Sequence, residues 1–367
     1  MTYAGESFQL DTEILAAIDA WHRSGKAMAD GDFDDLALRI FAYQLRYNRP
    51  YARYCAGFGI SLDALPATWD AIAPVPAAGY KEATLTTFDP AGAALAFETS
   101  GTTAGSSGRH FMETRALYDA ALLAGFERSV LAGRSRLRYL NVVPNPSERP
   151  QSSLGYMMQR VSATFGDGQT GWYVRGDALL VDAFVADARA AIDDAAPTCL
   201  TATAFALAGL LDELERRALT LPFPNGSCIV ETGGFKGRVR TVERRELYER
   251  AARAFGVPIR DIVSEYGMTE LTSQYYDAPD SRSAVDGRRK LGPPWLRSRV
   301  VGPDGKTLPD GTVGALVHVD LANRSSCLAV ATEDLGVRFD DGLVLIGRDG
   351  GASLRGCSLD AETLLPR

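Results

Sequence analysis

Apolar residues recur every three or four positions in two segments near the N-terminus of this 367-residue chain. This spacing predicts helices over residues 12–23 and 34–48. Further along, apolar runs of strand type alternate with helical patterns. The predicted strands cover residues 94–97, 137–143, 199–203, 227–231 and 259–263, and the predicted helices cover 114–132 (with Thr114 as N-cap), 178–195, 204–218 and 242–255. The alternation predicts an α/β fold with a largely parallel sheet covered by helices.

The pattern changes after residue 295. Short β-type runs over residues 297–301, 313–320, 328–331 and 343–346 alternate with Gly and Asp turns. They predict a smaller, mostly antiparallel subdomain. We therefore expect an α/β core over residues 1–295, a β-rich subdomain over 296–349 and a short tail over 350–367.

Composition and charge exclude several classes of function. The formal net charge is −7, whereas nucleic-acid binding usually needs a basic balance. No apolar stretch approaches the length of about 20 residues that a membrane-spanning helix needs, and the N-terminus lacks a secretory pattern. Five cysteines without C-x-x-C spacing argue against a disulfide framework or a zinc site. We expect a cytoplasmic protein with neither nucleic acid nor membrane as partner.

The segment over residues 98–109, Glu-Thr-Ser-Gly-Thr-Thr-Ala-Gly-Ser-Ser-Gly-Arg, follows the first predicted strand of the alternating region. Its three glycines let the backbone approach a ligand closely. Successive N–H groups and hydroxyls can then surround phosphate oxygens. It is not a Walker A loop, because it lacks the terminal Gly-Lys-Ser/Thr. A flexible surface loop is the alternative interpretation.

Four further segments follow strands or lie in turns, where α/β proteins place ligands. They are Glu-Thr-Gly-Gly-Phe-Lys-Gly at 231–237, Ser-Glu-Tyr-Gly-Met-Thr-Glu at 264–270, Thr-Glu-Asp-Leu-Gly at 332–336 and Gly-Arg-Asp-Gly at 347–350. Each segment alone is a weak signal, since a Gly-Gly pair is usually a turn and Gly-Arg-Asp-Gly a hairpin. Their order and combination strengthen it.

Together the five segments resemble the adenylate-forming superfamily of acyl-CoA synthetases, luciferases and peptide-synthetase adenylation domains. More narrowly, residues 233–236 and 354–358 resemble the acyl-protein synthetase of the bacterial bioluminescence fatty-acid reductase. The resemblance implies an enzyme that uses ATP and Mg²⁺ to convert a carboxylic acid into acyl-AMP, with release of pyrophosphate. It also implies transfer of the acyl group to a thiol, as in an acid–thiol ligase.

The resemblance also implies roles for individual residues. Those of the Gly-rich segment would bind the ATP phosphates: Thr99, Ser100, Gly101, Thr102, Thr103 and Gly105. Those bordering the adenine and acyl pocket would be Glu231, Gly233, Gly234, Glu265, Tyr266 and Gly267, with Tyr266 near adenine. Thr269 would bond the α-phosphate and Glu270 would hold Mg²⁺. Arg109 would supply a fixed positive charge. Asp334 would accept from the ribose hydroxyls, and Arg348 would reach ribose or phosphate.

Two expectations concern the end of the chain. Superfamily members usually continue past the Gly-Arg turn into a lid domain with a catalytic lysine, but residues 351–367 contain no lysine. We therefore expect no lid, and Lys236 becomes a candidate replacement; the alternative is a surface lysine. Cys357 precedes a plausible helix N-cap, Ser358, which would favour a nucleophilic thiolate that accepts the acyl group. The alternative is a small buried apolar residue.

The sequence leaves three functional hypotheses open. The first is an acyl-adenylate-forming synthetase that transfers its product to Cys357 or to a partner protein, such as an acyl reductase or an acyl or peptidyl carrier protein. The second is a stand-alone adenylation unit that charges a carrier protein or CoA. The third, from another class, is a non-catalytic nucleotide-binding scaffold. Fatty, aryl and amino acids all remain open as substrates.

Overall fold

The computed structural model describes residues 2–99, 107–134, 136–233, 243–340 and 342–348. For Arg348 it describes the backbone alone. The chain divides into two compact units. The first unit consists of Met1–Ala124, Met268–Gln274 and Leu291–Arg367, and the second unit consists of Gly125–Gly267 and Tyr275–Lys290. The predicted boundaries after residues 295 and 349 stay predictions, and residues 350–367 lie outside the described part.

Nine α-helices occur in the described residues. They are α1 (Tyr3–Ser24), α2 (Asp30–Tyr47), α3 (Arg49–Ala56), α4 (Gly79–Glu82), α5 (Ala116–Phe126), α6 (Ser153–Phe165), α7 (Val181–Asp193), α8 (Ala204–Arg216) and α9 (Arg244–Phe255). In these same ranges no helix combines the length and the apolar character needed to cross a bilayer.

The strands are numbered in chain order. They are β1 (Val75–Pro76), β2 (Leu95–Glu98), β3 (Arg109–Met112), β4 (Leu137–Pro144), β5 (Gly166–Arg175), β6 (Ala178–Leu179), β7 (Thr198–Thr203), β8 (Cys228–Thr232), β9 (Ile262–Tyr266), β10 (Tyr275–Asp277), β11 (Arg289–Leu291), β12 (Leu296–Val301), β13 (Val313–Asp320), β14 (Ala329–Phe339) and β15 (Gly342–Arg348).

The second unit is built on a mostly parallel sheet. Strands β5, β4, β7, β8 and β9 pair in that order, all parallel. Strand β6 joins β5 and strand β10 joins β9, both antiparallel. Residues of β4, β7 and β8 pack against α7, α8 and α9 in one buried apolar cluster, which includes Leu200, Leu211 and Phe255. Nearly every residue of β4, β7 and β8 is buried.

The first unit contains the antiparallel part of the fold. Strands β12, β13, β14 and β15 pair in sequence order, all antiparallel. Strand β1 adds to β14 in parallel, and β2 and β3 form a separate hairpin. The expected α/β class, with a large mostly parallel sheet and a smaller antiparallel one, is confirmed.

Several element boundaries differ from the sequence prediction. Helix α1 begins at Tyr3, because Thr2 caps it by accepting the Gly5 N–H at 3.3 Å. The predicted N-cap Thr114 is wrong, since α5 starts at Ala116. The predicted strand 259–263 is a 3₁₀ turn followed by β9. Strand β5 was not predicted, because its glycines disfavour a strand and its exposed first half shows no alternation of apolar and polar residues; its pairing with β4 makes it a strand.

Candidate active site

The Gly-rich segment connects the two strands of the β2–β3 hairpin. Glu98 and Arg109 lie opposite each other at its open end. One step further, the Thr99 N–H donates to the Gly108 carbonyl at 2.8 Å, and the Gly108 N–H donates to Thr99 Oγ1 at 3.1 Å. These two bonds close the base of the loop, so the described contact of the Thr99 hydroxyl is structural. The other predicted phosphate ligands lie outside the described residues: Ser100, Gly101, Thr102, Thr103 and Gly105.

Gly108 is confined by the backbone of α4. A Cβ atom at this position would lie 2.6 Å from the Tyr80 carbonyl oxygen and 2.9 Å from the Lys81 nitrogen. Neither backbone atom can move aside cheaply. We expect Gly108→Ala to lower the free energy of unfolding by about 1–3 kcal/mol, as overpacking typically does. Urea unfolding checks this, with Gly92→Ala as control, because a Cβ there meets nothing within 4 Å. Equal stability of both variants would contradict the prediction.

Arg109 keeps an accessible guanidinium. Its side chain is 58% exposed, and its ion pair with Glu98 is long, at 3.4 Å. An exposed pair of this kind contributes at most about 1 kcal/mol, so the pair does not compete strongly with an anionic ligand. Arg109 can therefore serve as the fixed positive charge beside the Gly-rich loop.

The segment Met268–Gln274, which contains Thr269 and Glu270, belongs to the first unit. The Thr269 carbonyl oxygen lies 2.7 Å from His110 Nδ1 on β3. Because a carbonyl only accepts, Nδ1 carries the proton and Nε2 has a lone pair. His110 is buried, and burial lowers its pKa to about 4 against the opposing effect of the Thr269 hydrogen bond. The neutral imidazole of His110 therefore links β3, the strand that follows the Gly-rich loop, to the segment that contains Thr269 and Glu270.

Residues at the end of β13 and in the turn that follows it also hold the segment Met268–Gln274. Asp320 accepts the backbone N–H groups of Thr272 and Ser273 at 2.9 and 2.8 Å and the Ser273 hydroxyl at 2.9 Å. Asn323 donates to the Glu270 carbonyl at 2.7 Å and accepts the Thr272 hydroxyl at 2.6 Å. Burial raises the pKa of Asp320 to about 6, while these donors act in the opposite direction. At neutral pH Asp320 is therefore an ionised acceptor.

The two predicted ribose residues lie opposite each other in the first unit. Asp334 on β14 is paired in register with Arg348 on β15. Asp334 is buried, and its N–H donates to Thr332 Oγ1 at 3.1 Å, while that hydroxyl donates to the Leu316 carbonyl at 3.0 Å. The Thr-Glu-Asp sequence thus fixes the backbone that presents the Asp334 carboxylate.

His318 on β13 gives the protein a pH dependence that can be measured. It is fully buried, with Nδ1 2.8 Å from Ser298 Oγ, and burial lowers its pKa to about 4 although Asp334 acts to raise it. The unfolded chain therefore binds a proton below about pH 6.5 that the folded protein does not. Stability is lost as the pH falls from about 6.5 to 4. Between pH 7 and 5 this amounts to about 2 kcal/mol.

Urea unfolding at pH 7 and pH 5 checks that expectation in the wild type and in His318→Gln, which cannot titrate. The wild type should lose about 2 kcal/mol more than the variant over this interval. Other titrating groups, including Asp320 with its opposite sign, are common to both proteins and cancel in the difference. An identical loss in both proteins would show that His318 does not titrate as expected.

In the second unit, the predicted pocket residues lie at the carboxyl ends of β8 and β9. Glu231 is buried and accepts the Tyr248 hydroxyl at 2.9 Å, which fixes it against α9. Thr232 lies in register with Glu265 and donates its hydroxyl to that buried carboxylate. Gly233 then turns with φ at +70°, a conformation that glycine adopts readily. These ends are where an open α/β sheet binds ligands.

Tyr266 ends β9, and its ring lies 5.7 Å from that of Tyr275 on β10. Gly267 follows it and is the last residue of the segment Gly125–Gly267 in the second unit. The structure thus groups Glu231, Gly233, Glu265, Tyr266 and Gly267 at one end of the parallel sheet. Besides those of the Gly-rich segment, three further predicted residues lie outside the described ranges: Gly234, Lys236 and Cys357.

Beside these strand ends lies a buried charge network that the sequence did not reveal. Asp277 forms ion pairs with Arg288 at 2.9 Å and Lys290 at 2.8 Å, and all three side chains are at most 1% exposed. Asp277 also accepts the Ser264 N–H at 2.8 Å, and Lys290 donates to the Ser264 carbonyl at 2.7 Å. Burial raises the pKa of Asp277, but the two cations and the N–H outweigh it and hold the pKa below its usual value.

Sequence reasoning missed this network for a physical reason. Arg288, Arg289 and Lys290 form a basic run, and such runs are usually solvated. His110, Asp320 and Asn323 likewise showed no motif, and His110 looked isolated. One signal in the sequence could have indicated such residues: a polar residue within an otherwise apolar strand pattern, such as Asp320 at the end of β13.

The donor set fits a magnesium ion that is bound together with ATP. In the described residues no group of three or more His, Cys, Asp or Glu side chains could form a metal cage. Mg²⁺ is usually bound by one or two carboxylates plus substrate phosphates and water. Glu270, at 9% exposure, has a carboxylate that could serve in this way.

The sequence matches no protein-family model and no curated protein sequence. Solved structures do match. ATP-bound MatB from Rhodopseudomonas palustris is 16% identical over 70% of this chain and 48% of its own, with a TM-score of 0.52. McyG A-PCP, complexed with phenylalanyl-adenylate, is 18% identical over 72% and 48%, with a TM-score of 0.50. The amide bond synthetase McbA from Marinactinospora thermotolerans is 18% identical over 71% and 49%, at 0.49.

The similarities to MatB and McyG A-PCP establish the fold. The chain spans about half of the length of the solved structures it matches. The fold implied by the motif resemblance agrees with that of MatB and McyG A-PCP. A shared fold does not by itself give the reaction, so function has to be argued from the residues of the site.

Proposed function

We propose that this protein activates a carboxylic acid with ATP. A carboxylate oxygen of the acid attacks the α-phosphorus of ATP, and the bond from that phosphorus to the oxygen bridging to the β-phosphorus breaks. The products are acyl-AMP and pyrophosphate, which leaves with the bond electrons. The step needs positioned reactants and stabilisation of negative charge rather than a general base.

The observation that best supports this proposal is the contact between His110 and Thr269. It joins two motifs 159 residues apart in the chain, the Gly-rich hairpin and the Tyr-Gly-Met-Thr-Glu segment. Both motifs are predicted to bind the same triphosphate, and within the first unit the His110 side chain on β3 lies 2.7 Å from the Thr269 backbone carbonyl oxygen. A surface Gly/Ser loop unrelated to Thr269 would give no reason for this juxtaposition.

The residues have distinct tasks in the proposed reaction. Arg109 offers a fixed charge to the phosphates, and the Thr269 hydroxyl bonds the α-phosphate. Glu270 would hold Mg²⁺, which when bound neutralises phosphate charge. Asp334 accepts from the ribose hydroxyls, opposite Arg348. In the second unit, Tyr266 offers a ring to adenine. Two neighbours in fold have such ligands, ATP in MatB and phenylalanyl-adenylate in McyG A-PCP.

The acceptor of the acyl group forms the second half of the proposal. A thiolate would attack the acyl carbon of acyl-AMP, and AMP would leave with the bond electrons. Cys357 is our first candidate for this thiol, ahead of a carrier-protein thiol and CoA. Lys236 is proposed to place a positive charge near the reacting carboxylate. Both roles rest on the sequence.

One experiment tests the proposal. The protein is incubated with ATP, Mg²⁺ and a panel of fatty, aryl and amino acids, and acid-dependent exchange of labelled pyrophosphate into ATP is measured. A matched reaction without acid gives the background. We expect exchange with at least one class of acid, reduced in Lys236→Ala. Labelled acid should also become covalently attached to the wild type in a hydroxylamine-labile bond that Cys357→Ser lacks.

The outcomes separate the hypotheses. Exchange without covalent label points to a separate carrier thiol, and label that persists on Cys357→Ser overturns the role of Cys357. An unchanged rate in Lys236→Ala removes the role of Lys236. ATP binding without exchange across the whole panel overturns the enzyme proposal in favour of a nucleotide-binding scaffold.

A further inference from the structure

We propose that His110 and Asn323 are positioning residues that fix the backbone of Thr269 and Glu270 and thereby set how strongly the site binds Mg²⁺. This inference rests on the proposed function, because it takes Glu270 to be the magnesium carboxylate. It adds two residues that the motifs did not indicate. They come from different parts of the first unit, β3 and the turn after β13.

Successive carbonyl groups of the segment are each engaged by a buried side chain. His110 Nδ1 lies 2.7 Å from the Thr269 carbonyl oxygen. Asn323 Nδ2 lies 2.7 Å from the Glu270 carbonyl oxygen. Both donors are only 1% exposed, so water cannot replace either one easily. The two carbonyls belong to the planar peptide units on either side of the Glu270 Cα, so fixing both leaves the backbone of Glu270 little freedom to rotate.

Each of the two donors is itself held in place. The Asn323 amide also donates to the Cys327 carbonyl at 2.9 Å and accepts the Thr272 hydroxyl at 2.6 Å, so its orientation is fixed from three sides. The His110 ring packs edge-on against Tyr80, with centroids 5.5 Å apart. Tyr80 in turn accepts a hydrogen bond from Ser326 at 3.1 Å. Supporting contacts of this kind commonly orient metal-binding side chains and tune affinity.

The chemistry of the two side chains explains why a donor is needed. A carbonyl oxygen buried without a partner is costly, so removal of either donor would favour rotation of the peptide toward another partner. Rotation there would displace the Glu270 carboxylate and the Thr269 hydroxyl together. Metal affinity is sensitive to such displacement, and loss of supporting groups typically costs about 10–100-fold.

The test measures Mg²⁺-dependent ATP binding by calorimetry, which needs no acid substrate, alongside pyrophosphate exchange and thermal melting. In Asn323→Asp a carboxylate replaces the donor and faces two carbonyl oxygens, and in His110→Leu no donor remains. We expect the Mg²⁺ concentration for half-maximal ATP binding to rise about tenfold or more in both. His110→Asn, which keeps a donor near the position of Nδ1, should recover most of this loss.

The matched control is Asn48→Asp. Asn48 is also fully buried, donates to the Ser326 carbonyl at 3.2 Å and accepts the Tyr51 N–H at 3.2 Å. It should lower the melting temperature without changing the Mg²⁺ dependence. If Asn323→Asp does not fold, Asn323→Ala replaces it, since alanine removes the donor and buries no charge.

The two proposals fail in different ways. A wild-type dependence on Mg²⁺ in His110→Leu and in the folded Asn323 variant would overturn the positioning roles and leave acid activation standing. An equal shift in Asn48→Asp would also overturn them, because the effect would then follow general stability. Absence of Mg²⁺-dependent ATP binding in the wild type would instead overturn the proposed function, and the positioning roles with it.

Discussion

Replacing Glu270 by glutamine is expected to reduce acid-dependent pyrophosphate exchange about a hundredfold or more, corresponding to about 2.7 kcal/mol of transition-state stabilisation. The substitution keeps the shape of the side chain but removes the negative charge that would hold Mg²⁺. A metal ion that neutralises phosphate charge is worth several kcal/mol in reactions of this kind. The measurement is the exchange rate as a function of Mg²⁺ concentration, together with a thermal melt.

A suitable control for Glu270→Gln is Glu249→Gln, the same chemical change on an exposed position of helix α9. The control should keep the wild-type rate and the wild-type Mg²⁺ dependence. Part of the activity of Glu270→Gln should return at high Mg²⁺, because the other ligands of the ion are substrate phosphates and water. If Glu270→Gln keeps both the rate and the Mg²⁺ dependence of the wild type, Glu270 is not the metal ligand.

The largest effect on stability is expected at Asp277. Asp277→Asn would leave the buried cations Arg288 and Lys290 without their shared counter-ion. Breaking a buried pair by removing one partner typically costs about 3–5 kcal/mol. Burial already lowers the pKa of Lys290, and the negative charge of Asp277 is the largest effect that opposes this lowering. In the variant Lys290 should therefore release its proton, and the loss of stability should shrink as the pH rises.

Urea unfolding of Asp277→Asn at pH 7 and pH 9 measures both features. Asp304→Asn is the matched control, because Asp304 pairs with Lys306 at 3.5 Å on the surface, with side chains 58% and 83% exposed. Exposed pairs of this type contribute at most about 1 kcal/mol. A loss at Asp277 no greater than that at Asp304 would mean that the buried network contributes little to the second unit.

The fold class could be predicted because its signal is local. The apolar run at the start of β8 and the amphipathic pattern of α8 specify their own conformation and their own buried face. Strand β5 escaped prediction for the opposite reason. Its glycines disfavour a strand, and only hydrogen bonding to β4 makes it one. The start of α5 was also misplaced, since a threonine before a helix caps it only when its side chain meets the backbone N–H groups.

The candidate site, too, could be predicted only in part from the sequence. Motifs in the sequence indicated Thr269, Glu270, Asp334 and Arg348, and the structure adds that the last two lie opposite each other on β14 and β15. The motifs predicted that Glu231 borders the adenine and acyl pocket, but they did not indicate that its carboxylate accepts the Tyr248 hydroxyl of α9. A pattern identifies which residue types recur together, but it cannot show which hydrogen bond each polar atom makes.

By itself the sequence determined the alternation of most core helices and strands, the glycine-rich segment after β2 and the residue types available for a nucleotide. Only the tertiary structure decided that His110 would meet Thr269, that Asn323 would meet Glu270 and that a basic run would become a buried network around Asp277. These contacts join residues far apart in the chain, and no periodic pattern in the sequence indicates them. They exist because folding removes polar groups from water, and each buried donor or acceptor must then find its partner in space.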